Sequence, residues 1–505
     1  MIRTLRTSPL VRSVPSSSPV GRAASRTSTL ARVVARRRTA RDAMTHRVLV
    51  LVLVALVACA RVDATSYAKR ASRAVAPRAD ATLGRLRAHT WGVGGERVGR
   101  PSNPASAPGR AELDARAGDV VAVAASGHTA AATASGRLYT AGRNDSHGGG
   151  AHGSTPIDDS GQLGRGGAAG AFERVGGALE GETVTSVGCG RYHTVCSTES
   201  GNVYSFGLND VGQLGTSGVM GAVPVAKPRC DSGGNCEELT RDAGELAGLG
   251  ESCFKGAACR IGTPKRVTFP EGDVKIKSVA AGRYTSAAVT QDGRVYVWGL
   301  NMCGVSSGRD KIIDDAATPR LIDGVQDIEL VDIGYTGMIL LNAKGEVYTC
   351  DTGYDGYARP SDGADVRVQR HSPFGDGDHK AIDVAAGRCH YAVATEHGAL
   401  FTWGCSALGR GGDKRNPAAV AGDLSTRGVV AVAAGEYFTL AATSLGEIYG
   451  MGTNGNGQLG VQADAGPSFD SPVRVELGPG VGTCVAVAAG YQHSIAIVRE
   501  SEDAR

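Results

Sequence analysis

A motif pair returns along this chain, and its spacing constrains the fold more than any other feature. The best copy reads Val-Gly-Cys-Gly-Arg-Tyr-His-Thr at 187–194, followed by Gly-Asn-Val-Tyr-Ser-Phe-Gly at 201–207. The first half recurs at 123–129, 279–286, 384–391, 432–439 and 487–494, with a weaker copy at 331–338. Aligned on His193, the copies fall at 128, 193, 285, 337, 390, 438 and 493, so the intervals are 65, 92, 52, 53, 48 and 55 residues. A basic period near 50 with two swollen intervals means a propeller, a solenoid or a similar array.

Within each copy apolar residues alternate, as in Arg294-Val295-Tyr296-Val297-Trp298, and glycine bounds every run. That is the period of a strand. The first half, such as Ile276-Lys277-Ser278-Val279-Ala280-Ala281, reads as a small-residue strand, and Ser286-Ala287-Ala288-Val289 as its hairpin partner. A unit of this length with three or four short strands fits a propeller blade better than a helical hairpin.

The second half ends in a turn: Gly161-Gln162-Leu163-Gly164, Gly212-Gln213-Leu214-Gly215 and Gly457-Gln458-Leu459-Gly460. Trp/Phe-Gly-x-Asn-x-x-Gly-Gln-Leu-Gly after a Gly-x-Val-Tyr strand resembles the repeat of the regulator of chromosome condensation family, over about residues 86–498. The resemblance implies an all-β fold, a seven-bladed propeller. The chain's own ends give the same number. Six copies carry both halves; the copy at Gly490 stops after Ile495-Ala496-Ile497-Val498, and its missing half stands at the other end as His89-Thr90-Trp91-Gly92. Six whole blades and one split between the termini make seven, because a ring closes only when its edge strands pair. The expected propeller is 86–499, with insertions at 147–160 and 218–265 and a charged tail at 500–505.

Charge is uneven. Residues 1–64 hold 12 Lys/Arg and 2 Asp/Glu, which leaves 42 Lys/Arg against 48 Asp/Glu in the rest of a chain whose total is +4. The basic excess belongs to the N-terminal segment, and the propeller offers no net attraction to phosphate, so nucleic acid is not an expected partner. Residues 48–60 form an unbroken apolar run of 13 residues after Arg47, too short to span a bilayer comfortably and the right size for a signal-peptide core. Small-residue cleavage sites follow at Ala58-Cys59-Ala60 and Val62-Asp63-Ala64. The expectation is a signal peptide at 44–64, a linker at 65–85, and a secreted or endomembrane-lumenal protein with no membrane segment after cleavage. The Arg/Ser-rich 1–43 leaves a second reading open, a two-part transit peptide to an organelle lumen.

Four of the twelve cysteines crowd the 92-residue interval as Cys230, Cys236, Cys253 and Cys259. Zinc sites usually pair thiolates at two to four residues, so in an oxidising compartment two disulfides are the better reading. Cys189, Cys196, Cys303, Cys350, Cys389, Cys405 and Cys484 lie in blade strands or the turns after them and read as small buried hydrophobes. His128, His193, His390 and His493 share one repeat position, filled elsewhere by Thr285, Gly337 and Phe438, which favours hydrogen-bonded blade residues over a metal or catalytic set. Trp91, Trp298 and Trp403, with Phe206 replacing them once, share a blade-core position between blades.

No Ser/His/Asp set, paired carboxylates or phosphate loop stands out, so no catalytic residue, metal or cofactor is expected. The functional expectation is a non-enzymatic scaffold, a monomer that binds another protein on one propeller face. The family resemblance implies the alternative, a guanine nucleotide exchange factor for a small GTPase, which needs only a shaped surface.

Overall fold

Each motif pair folds as three antiparallel strands, and the segment after its turn supplies a fourth. A computed structural model describes residues 85–500 except 94–97, 101–106, 115, 146–158, 167–169, 210, 217–250, 255–257, 301, 304–315, 352–367, 376 and 462–465. The expected leader, nearly all of the linker, most of the 147–160 loop, Cys230 and Cys236 lie outside the described residues, as do the side chains of Cys253 and Cys259.

In blade 3 the strands are Ile276–Ala281, Thr285–Thr290, Val295–Gly299 and Ala316–Leu321, paired in that order. Small residues fill the first strand because the blades converge there on the axis. Its pairing with the second strand slips by one residue between Ile276 and Ser278, and the same slip recurs in the innermost pair of all seven sheets. A bulge of this kind increases local twist, and its repetition gives every blade the same bend at the same depth.

Seven sheets occur among the described residues, six of four strands and one of five. The seventh is the split blade: Thr483–Ala489 and His493–Arg499 come from the C-terminal end, Leu86–Gly92 and Gly109–Arg110 from the N-terminal end. Leu86 pairs with Arg499 and Gly92 with His493, so the N-terminal strand fills the edge that the C-terminal hairpin leaves open. The expected closure and the count of seven are both present.

Two expected boundaries move. The expected insertion 218–265 is not all excursion: Ala258–Arg266 pairs with Val203–Leu208 as the outer strand of blade 2, and Glu251–Phe254 adds a fifth strand beyond it. Outer strands lack the repeat's alternation because one edge faces solvent, so the sequence pattern does not mark them. Cys253 and Cys259 are directly paired positions of that hairpin. Glu500, expected in the tail, instead hydrogen-bonds His89 at 3.3 Å and Arg110 at 3.4 Å on the split blade.

The core lies between blades rather than within one layer. Val195 and Val203 of blade 2 pack with Phe269, Ile276, Tyr296 and Trp298 at the blade 2–3 interface, and Trp91 with Phe438, Leu440 and Leu459 at the interface of blades 6 and 7. Trp91, Phe206 and Trp298 are fully buried and Trp403 nearly so. Among the described residues the helical elements are single 3-10 turns such as Asp423–Thr426.

Candidate functional site: an arginine–tyrosine crown at the channel mouth

The four histidines do not converge. Each is fully buried and reaches across one blade junction: His128 Nε2 lies 2.6 Å from Thr194 Oγ1, His193 2.9 Å from Ser286 Oγ, His390 3.1 Å from Thr439 Oγ1, and His493 2.8 Å from Thr129 Oγ1. Thr194, Ser286 and Thr439 spend their single hydroxyl hydrogens on the carbonyls of Gln162, Gln213 and Ala407, so in those three junctions the imidazole N–H donates to the hydroxyl. Burial pushes His128 and His193 down to about 3 and His390 to about 4, so these rings are neutral. Each latches one blade to the next. The Ser/Thr partner was missed, although the recurrent His-Thr and His-Ser pairs in the sequence carried the signal.

Trp91 and Trp298 add to the same junctions, donating indole N–H to the carbonyls of Gln458 and Gln213. The closing glycine of each Gly-Gln-Leu-Gly turn explains that motif. Gly164, Gly215 and Gly460 have φ of +66°, +64° and +67°, and a Cβ on them would press into Phe206, Trp298 and Trp91 of the next blade.

One cysteine expectation is corrected. Cys189, Cys196 and Cys484 are free and buried as read, but Cys303 bonds Cys350 and Cys389 bonds Cys405, with Cα separations of 5.0 and 5.5 Å. Strand register brings the second pair together: His390 pairs with Gly404, so the next positions outward are Cys389 and Cys405. The first pair joins the turn after Val295–Gly299 of blade 3 to Val347–Asp351 of blade 4.

The first strands and the turns after them surround an axial channel, and at the turn end seven blades contribute to its lining. Its cavity volume of about 130 Å³ is well below the roughly 300–1,000 Å³ of ordinary ligand sites. Around the mouth stands a crown made by the residues after Gly190, Gly282, Gly334, Gly387, Gly435 and Gly490, which share one position of the repeat. Arg191 lies over the rings of Tyr192 and Tyr491 at 5.1 and 5.5 Å, Arg283 over Tyr284 and Tyr335 at 5.1 and 5.3 Å, and Arg388 over Tyr335 and Tyr437 at 5.7 and 4.9 Å. Tyr335 and Tyr491 also meet at 5.7 Å between ring centres.

Backbone bonds hold the crown in place. The amides of Arg191, Arg283, Tyr335, Arg388 and Tyr491 donate to the carbonyls of Arg283, Gly334, Gly387, Glu436 and Ser126, each on the next blade round. Arg388 is paired with Glu436 at 2.6 Å, whereas Arg191 and Arg283 form no ion pair among the described residues. The arrangement is a rigid, cationic and aromatic platform. The sequence reading gave the tyrosine and arginine positions no role, because only closure of the ring makes one surface of six separate turns.

The comparisons with known proteins agree with this architecture. The model of the regulator of chromosome condensation (RCC1) repeat matches residues 184–213, 276–305 and 429–458 in one form, and 397–442 and 446–497 in another. This chain carries repeats of the regulator of chromosome condensation type. Its RCC1 repeats are 28% identical over 318 residues to the ultraviolet-B receptor UVR8 of Arabidopsis thaliana, spanning 58% of this chain and 70% of that protein. They are 30% identical over 290 residues to the human E3 ubiquitin-protein ligase HERC2, spanning 52% of this chain but 6% of that one. Among solved structures, Prp20p of Saccharomyces cerevisiae aligns with TM-score 0.60 at 17% identity over 87% of this chain and 95% of its own, and human WBSCR16 with 0.59 at 20% over 82% and 100%. These two likenesses concern the fold alone.

Proposed function

We propose that this RCC1-repeat propeller is a non-enzymatic scaffold of the secretory route that docks another protein on its crown face. The observation that carries the reading is the crown itself. Arginine and tyrosine are, with tryptophan, the side chains most enriched among residues that dominate binding energy at interfaces, and here they are held rigid before any partner arrives. The narrow channel beneath has no room for an ordinary substrate. The secretory assignment draws support from the 13-residue apolar run after Arg47 and from two disulfides in the propeller, which persist in oxidising compartments.

The test is affinity capture with the full chain from its own compartment, comparing the parent with Arg191→Ala/Arg283→Ala and with a rim control, Arg266→Ala/Arg474→Ala. A partner retained by the rim control and lost by the crown variant supports the reading. Equal capture by all three moves the docking face elsewhere. The structure of Prp20p was described together with its binding to Gsp1p and histones, and recovery of a small GTPase whose nucleotide release the protein accelerates would replace the scaffold with an exchange factor.

A further inference from the structure

We infer that the crown is a carboxylate seat: an acidic segment of the partner protein lays an Asp or Glu side chain over the channel mouth, against Arg191, Arg283 and Tyr335. The inference rests on the docking face proposed above and names its chemistry. Three observations converge on it. Arg191 and Arg283 are half-buried guanidiniums with aromatic rings against their faces, and among the described residues neither forms an ion pair, although Asp145 lines a cavity with Arg191 and Glu436 one with Arg283. Guanidinium edges are the donors that match a carboxylate two-pronged, and stacking the faces leaves those edges presented.

Two polar atoms at the same place are shut off from solvent and unpaired, the Tyr335 hydroxyl and Arg283 Nε. Burial holds the Tyr335 phenol well above the usual tyrosine range, so it stays protonated and able to donate. The third observation is Glu436. This internal carboxylate, buried on the same rim, already pairs Arg388 at 2.6 Å, which demonstrates that the crown geometry accepts the group.

Size and charge select the source. The cavity of about 130 Å³ admits a side-chain carboxylate but cannot enclose a nucleotide. The rest of the propeller is net acidic, so the two unpaired arginines are a local basic island and the specificity lies in contact rather than in long-range attraction.

The test uses the full chain and a fluorescent peptide carrying a run of glutamates in a Gly/Ser context, with the glutamine version as control, read by anisotropy. The Glu peptide should bind at least about tenfold more tightly than the Gln peptide. Arg191→Gln and Arg283→Gln should each remove most of that difference, and Tyr335→Phe should weaken the Glu peptide several-fold. Glu436→Gln, which frees Arg388, should tighten it. If Arg283→Gln lowers the melting temperature markedly, Arg283→Lys, which keeps charge but not the fork, is expected to weaken binding in a protein of parental stability. Equal binding of Glu and Gln peptides, or unchanged Glu binding in a folded Arg283 variant, overturns the seat. So does a phosphoserine peptide bound while glutamate is ignored. Loss of partner capture in the crown variant with no preference between the peptides would leave the docking face standing and sink only its carboxylate chemistry.

Discussion

His193 is neutral because desolvation at the blade junction outweighs everything that would charge it, and its ring does the work of a hydrogen-bond strut to Ser286. The sign of its pH effect follows. Its folded value lies near 3 and its unfolded value near 6.5, so only the unfolded chain takes up a proton between those limits. Stability is therefore full above about pH 6.5 and declines as the pH falls, by up to ~1.4 kcal/mol per pH unit for each such histidine. Urea melts should show this acid limb, and His193→Phe should make it shallower. Phenylalanine fits the position, since Phe438 occupies it fully buried in blade 6, so at pH 7.5 the substitution should cost only about 1 kcal/mol. His193→Ala leaves a cavity and should cost ~2–4 kcal/mol. The role of this histidine was legible from its being one repeat position among seven; its partner was not, because Ser286 lies 93 residues away and meets it only when blades 2 and 3 adjoin.

At the level of the turn and strand, the Gly-Gln-Leu-Gly segment is read by the neighbouring blade rather than by its own. Gly215→Ala places a methyl against Trp298 at a left-handed backbone position. The left-handed backbone alone costs roughly 1–2 kcal/mol, and the displaced indole adds to it. Gly166→Ala, whose methyl meets open space, should be close to neutral. Chemical denaturation of the two variants gives the comparison. The cysteines follow strand register in the same way. Non-reducing peptide mapping should return Cys303–Cys350 and Cys389–Cys405, and should leave Cys196 and Cys484, whose thiols burial pushes up to about 12, unalkylated in the native protein. The same map decides the bridges expected among Cys230, Cys236, Cys253 and Cys259. Cys389 stands where Tyr192, Tyr284 and Tyr437 stand in other copies, and Cys405 where Leu208 and Leu300 stand, so this pair could have been found by asking which positions two repeats exchange together. The Cys303–Cys350 bridge crosses blades 3 and 4, a junction where Thr285 and Met338 replace the histidine latch.

For the molecule as a whole, closure rests on the split blade. Deleting 86–100 removes the strand that pairs with His493–Arg499 along its length and the fully buried Trp91, whose truncation alone typically costs ~3–5 kcal/mol in a core. Thermal melts should show loss of the cooperative transition or a collapse of its midpoint. The comparison deletion is 147–158 rather than 147–160, because Asp159 accepts from Asn144 at 3.0 Å and pairs with Arg260, and Ser160 is fully buried. That shorter deletion should leave the midpoint within a few degrees of the parent. Equal losses from the two deletions would contradict a ring fastened by its termini.

The sequence by itself determined the repeat, the strands of its two halves, the seven blades and the seam between the chain ends, because each depends on local alternation and on counting copies. It also gave the expectation that the histidines and tryptophans are structural, since a position repeated around a ring is not a converged site. Only the tertiary structure decided the outer strand of blade 2, the two disulfides and the crown. An edge strand carries half the burial pattern of an inner one, a disulfide depends on which positions register places opposite each other, and Arg191, Arg283 and Arg388 become neighbours of Tyr491, Tyr335 and Tyr437 only when seven turns from distant parts of the chain close around one axis.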